Sequence, residues 1–131
     1  MPRSILMAAL AAITLAVAGC GDDDVFRTER PILRITLDEY RIVPQNASVR
    51  PGRMKFTVRN AGRLTHNLAI QIPDGPDGKF VDVPGGRTGT MQPGATGEPI
   101  KLTLEPGVYR MVCTIANHDD LGQYGTLEVK E

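Results

Sequence analysis

His66 and His118 are the only imidazoles in the chain, and Cys20 and Cys113 its only thiols. Cys113 ends the run Val108-Tyr109-Arg110-Met111-Val112, and His118 follows it five residues later, after Thr114-Ile115-Ala116-Asn117. Five extended residues reach about 17 Å at most, so a compact loop brings thiol and imidazole within the few ångströms a metal ion requires. His66 opens the alternating run His66-Asn67-Leu68-Ala69-Ile70-Gln71-Ile72. By parity its side chain shares an inward face with Leu68, Ile70 and Ile72, at a mouth of the core. Gln123, a weak oxygen donor, stands just before the final run Tyr124-Gly125-Thr126-Leu127-Glu128-Val129.

If the strand ends converge at one pole, these residues assemble one thiolate, two imidazoles and one weak axial oxygen. That set prefers copper, because zinc more often takes a fourth strong ligand. Taken singly, Cys113 reads as a small buried hydrophobe and either histidine as a satisfied core or surface residue. It is the family resemblance described below, in which both histidines and Cys113 fall on ligand positions, that reverses the balance. Met54, Met91 and Met111 are rival soft donors. Met54 alternates with Phe56 and Val58, and Met111 shares the parity of Cys113 deeper in the core, so both read as packing; Met91, in a Gly/Pro loop, stays a minor candidate. Asp119 and Asp120 read as solvated loop residues.

The elements that must hold this set are short strands. The 131 residues suffice for one small domain, and 14 Gly with 10 Pro argue against a helical bundle. Strands are expected at Ile32–Leu37, Tyr40–Val43, Met54–Arg59, His66–Ile72, Ile100–Leu104, Val108–Cys113 and Tyr124–Val129, with turns at Arg50-Pro51-Gly52-Arg53 and Glu105-Pro106-Gly107. From Pro73 to Gly107, 14 of 35 residues are Gly or Pro, which predicts a loop-rich excursion with one short strand near Phe80–Val83. Seven to eight strands at this spacing predict an all-β sandwich.

The N-terminus reads as an address. Arg3 precedes an apolar stretch from Ile5 to Val17, and Val17-Ala18-Gly19-Cys20 resembles a bacterial lipobox. The expected organisation is a signal peptide over 1–19, a lipidated N-terminus and flexible tether over 20–31, and a domain over 32–131. Lipidation at Cys20 leaves Cys113 without a disulfide partner in an oxidising compartment, and a bound metal would protect such a thiol.

Tyr109-Arg110-Met111-Val112-Cys113 through Gly122-Gln123-Tyr124-Gly125-Thr126-Leu127-Glu128-Val129 resembles the copper-binding end of cupredoxins of the plastocyanin, amicyanin and azurin groups. There a strand ends in Cys, a loop leads to His, and an axial ligand precedes the last strand. His66-Asn67 resembles the first ligand and the neighbour that ties the two ligand loops together, with Thr114 beside Cys113 as its counterpart. The resemblance implies a Greek-key β-sandwich that carries one electron on a type 1 copper ion. Three departures stand out. Gln123 replaces the commoner Met, as in stellacyanin-like members, and its harder oxygen favours Cu(II) and a lower potential. Ala116-Asn117 replaces the usual Pro-Gly, and Asp119-Asp120 flank His118 where an apolar docking patch is usual.

The expected function is therefore a membrane-anchored, extracytoplasmic electron carrier and not an enzyme, monomeric, with a redox partner protein. The alternatives are a copper-storage or copper-delivery lipoprotein and a metal-free interaction module. Nucleic acid is excluded as a partner, because 15 basic and 15 acidic residues cancel. Residues 27–63 carry nine basic and three acidic side chains against five and nine over 64–131, an asymmetry that reads as the solvated outer faces of the early strands.

Overall fold

The computed structural model describes residues 24–131, so the expected signal peptide, Cys20 and the first residues of the expected tether, 20–23, lie outside the described residues. Ten strands follow in order: β1 (Val25–Thr28), β2 (Ile32–Asp38), β3 (Arg41–Val43), β4 (Asn46–Val49), β5 (Gly52–Asn60), β6 (Ala69–Pro73), β7 (Phe80–Arg87), β8 (Ile100–Leu104), β9 (Gly107–Val112) and β10 (Tyr124–Val129). They form a six-stranded sheet, β1-β4-β10-β9-β6-β7, and a four-stranded sheet, β3-β2-β5-β8. Both sheets are mixed: β4 runs parallel to β1 and β10, and β2 runs parallel to β5. Among the described residues no helix is long and apolar enough to cross a membrane.

Period-two patterning explains the sandwich. Leu33, Ile35 and Leu37 on β2, Met54, Phe56 and Val58 on β5, and Ile100, Leu102 and Leu104 on β8 are all buried. The residues between them are exposed or half-buried, as one wet face requires. Ala47, Val49, Ile70, Met111, Leu127 and Val129 join the same core from the six-stranded sheet. Each large aliphatic or aromatic side chain so buried contributes roughly 1.5–3 kcal/mol relative to exposure.

Four sequence expectations are corrected. β6 starts at Ala69 rather than His66, because His66 pairs instead with Met91 in an isolated bridge. Ile72 does not face inward: it is 38% exposed, beyond an irregularity in the β6–β7 register between Ala69 and Gln71 that breaks the alternation. The strand expected near Phe80–Val83 extends to Arg87, through Pro84, Gly85 and Gly86. It can do so because β7 is an edge strand, where a missing ladder donor is tolerated. β1 also forms inside the segment expected to be a tether, paired with β4 over Val25–Thr28.

Candidate metal centre

Hairpin β9–β10 sets two of the residues. Tyr124 pairs with Val112, and the Cys113 N–H donates to the Gln123 carbonyl at 3.0 Å, so Cys113 and Gln123 face each other where the hairpin opens. Gly125 lets the Gln45 backbone pack against β10, because a Cβ there would collide with the Gln45 carbonyl, which accepts the Thr126 N–H at 2.9 Å. The loop from 114 to 122 is wound tightly: His118 N–H bonds the Ile115 carbonyl at 3.1 Å and Gln123 N–H the His118 carbonyl at 3.0 Å. Ala116 takes φ 48°, a left-handed conformation, at the first of the two positions where the sequence departs from Pro-Gly. At position 116 the turn is thus made without glycine, at a steric cost.

His66 is fixed from another side. Its N–H and carbonyl exchange hydrogen bonds with Met91, at 3.1 and 2.8 Å. Asn60 braces that bridge, its amide donating to the Leu64 and Met91 carbonyls at 2.8 and 2.9 Å. Met91 therefore serves the site through its backbone. Its side chain is a core residue whose sulfur lies against Gly97, and Met54 and Met111 are core residues too.

His66, Cys113 and His118 meet, with their ligand atoms all within 4.8 Å of one another. The Nδ1 atoms of His66 and His118 stand 3.9 and 3.7 Å from the Cys113 sulfur. An ion bound in a trigonal plane, at about 2.3 Å from sulfur and 2.0–2.1 Å from nitrogen, would space sulfur and nitrogen about 3.8 Å apart. The donors therefore fit one ion. Cys113 and His66 are fully buried and His118 is 8% exposed, so water is largely kept out. Burial, and then the proximity of His118, push the His66 pKa down, which keeps the imidazole neutral and able to ligate.

Gln123 is fully buried, and its amide nitrogen donates to the carbonyls of Asp38 and Arg41 at 2.6 and 3.1 Å. Its Oε1 has no hydrogen-bond partner. An orphaned buried oxygen is costly, so this atom has the character of a donor in need of a ligand. The second predicted pair also meets. Thr114 N–H donates to Asn67 Oδ1 at 2.8 Å, and Asn67 Nδ2 donates to Thr114 Oγ1 at 2.8 Å, fastening the His66 segment to the Cys113 loop.

Sequence reasoning missed the turn between β2 and β3. Besides the two carbonyls that hold Gln123, Tyr40 sets its ring edge-on to His118 with centroids 5.5 Å apart, from a backbone at φ 59°. Glu39 brings its carboxylate 3.8 Å from His66 Nε2. Arg87 was also missed; it bonds Thr114 Oγ1 at 2.7 Å and Asp82 at 2.6 Å. No sequence signal marks these residues, because each reaches the site from a distant part of the chain.

No family profile and no curated protein sequence matches this chain. Solved structures do. Dithionite-reduced auracyanin from the photosynthetic bacterium Roseiflexus castenholzii superposes with a TM-score of 0.65 at 20% identity, covering 79% of this chain and all of that one. Reduced rusticyanin gives 0.60 at 16% identity, over 85% and 87% of the two chains. Auracyanin A, a "blue" copper protein from Chloroflexus aurantiacus, gives 0.59 at 13%, over 76% and 99%. At these identities the likeness shows the fold, and the donor geometry stands on its own. The described chain is a cupredoxin-like β-sandwich whose His66, Cys113 and His118 fit a single copper ion of the type 1 kind.

Proposed function

We propose that this chain is a blue copper protein that carries single electrons, in which His66, Cys113 and His118 would hold the ion and Gln123 Oε1 would add a weaker oxygen donor. The observation that carries the reading is the sulfur-to-nitrogen spacing of 3.7 and 3.9 Å beside an orphaned amide oxygen. Copper held there supplies a one-electron couple between Cu(I) and Cu(II). The chain's part is to hold its donors still. Asn67 and Thr114 lock two ligand segments together, and the carbonyls of Asp38 and Arg41 pin the Gln123 amide. A scaffold fixed in this way suits both oxidation states and limits reorganisation.

His118, 8% exposed, is the least buried of the three ligands and the natural place for an electron to enter or leave. The segments that bear His66 and His118 also bear exposed Leu64 and Leu121, apolar contacts for a redox partner protein. Of the two aspartates after His118, Asp119 lies 3.6 Å from Arg110, which draws its charge away from such a partner. A one-electron centre of this kind passes electrons without breaking substrate bonds, so the reading is a carrier and not an enzyme. The lipobox-like Val17-Ala18-Gly19-Cys20 supports an extracytoplasmic, lipid-anchored protein.

The test is to load the chain with Cu(II). The expected result is an intense visible thiolate-to-copper band together with reversible one-electron voltammetry. A metal-loaded protein without the band sinks the reading in favour of an interaction module. A band without reversible electron transfer makes the protein a copper store or courier.

A further inference from the structure

We propose that Glu39 is a positioning residue for this centre: its carboxylate keeps the His66 ring proton on Nε2, so that Nδ1 presents its lone pair toward Cys113. The inference rests on the copper reading above for its redox consequence, but the arrangement of the ring is a property of the metal-free chain.

Three observations, all between Glu39 and the segment from Gly62 to His66, converge on it. His66 Nε2 is buried and has no hydrogen-bond partner, while Glu39 Oε1 lies 3.8 Å away. That gap exceeds a direct hydrogen bond but leaves the carboxylate as the acidic group facing the buried nitrogen. Next, the carboxylate is held in place: its Oε1 accepts the N–H groups of Arg63 and Leu64, the latter at 3.0 Å. Finally, Gly62 makes the room. A Cβ at that position would collide with Glu39 Oε1 and stand 3.2 Å from His66 Nε2. A glycine that makes room and two backbone donors thus set one carboxylate beside one nitrogen.

A ligating histidine generally gives its second N–H to such a partner, which fixes the tautomer and raises the basicity of the ligating nitrogen. A negative charge there also favours the more positive oxidation state. A competing explanation is purely structural, with Glu39 present only to cap the N–H groups of Arg63 and Leu64. The two explanations separate experimentally, because a cap has no effect on the ring proton or on a potential.

Nitrogen-15 NMR of the metal-free full-length chain, at a pH where the ring is neutral, reads the tautomer directly. The expected result is Nε2–H in the parent protein and at least a tenfold shift of the ratio toward Nδ1–H in Glu39→Ala. An unchanged ratio in a folded variant overturns the proposal. Glu39→Gln keeps an acceptor oxygen for the cap while removing the charge, so it serves where the alanine variant fails to fold. Its Cu(II)-to-Cu(I) affinity ratio should fall about tenfold, a rise of about 59 mV for one electron; an unmoved potential in the glutamine variant overturns the proposal likewise. If the parent chain takes up no copper, the copper reading fails, and the tautomer ratio still decides the role of Glu39.

Discussion

The loop from Cys113 to Gln123 and the turn from Asp38 to Arg41 make opposite contributions to one centre. The loop carries two of the three clustered donor side chains and the orphaned oxygen, all within eleven consecutive residues of one hairpin. The turn carries none. Yet it supplies two carbonyls to Gln123, a carboxylate to His66 and an aromatic edge to His118. The donors belong to the margin of the six-stranded sheet, and the turn joins β2 and β3 of the four-stranded sheet. Donor chemistry is thus concentrated in one segment, while the control of orientation comes from across the sandwich.

Substitutions can break that contrast or sharpen it. The largest effect belongs to the loop: Cys113→Ser should abolish the visible band of copper-loaded protein outright, as absorption spectroscopy will show. Gln123→Met should keep the band and raise the potential, because a thioether replaces an amide oxygen; an unmoved potential in voltammetry would take Gln123 out of the axial role. Asn67→Ala should lower stability by about 1–3 kcal/mol, since it strips a buried N–H of its acceptor and unfastens two segments, and urea denaturation measures this. Ala116→Gly should be the mildest, a gain of about 0.5–1 kcal/mol as the left-handed backbone is relieved against the added chain entropy of glycine. A loss of stability there would mean that the Ala116 methyl makes contacts worth more than its strain.

What could be read from the chain alone follows the same division. His118 and Gln123 were visible because a strand end, a short loop and a second strand leave little conformational choice between Cys113 and Tyr124. His66 was visible through parity, although it sits in a bridge to Met91 ahead of β6. Parity failed at Ile72 because the irregular register between Ala69 and Gln71 interrupts the alternation. The core of β2, β5 and β8 was legible because alternation and burial coincide there. Glu39 and Tyr40 were not. They sit in a turn whose composition resembles any polar connection, and their importance arises only when two sheets stack and bring position 39 beside position 66. Arg87 was hidden for a related reason: its strand runs through Pro84 and two glycines, and reads locally as loop.

That same strand has a consequence for life in a crowd. β7 closes the six-stranded row with a proline and a pair of glycines, and its pairing with β6 is irregular. A straight, evenly spaced rim of backbone groups would invite a neighbouring copy to add itself as the next strand. A ragged rim offers no such template, so along this edge two copies of the domain meet without zipping together.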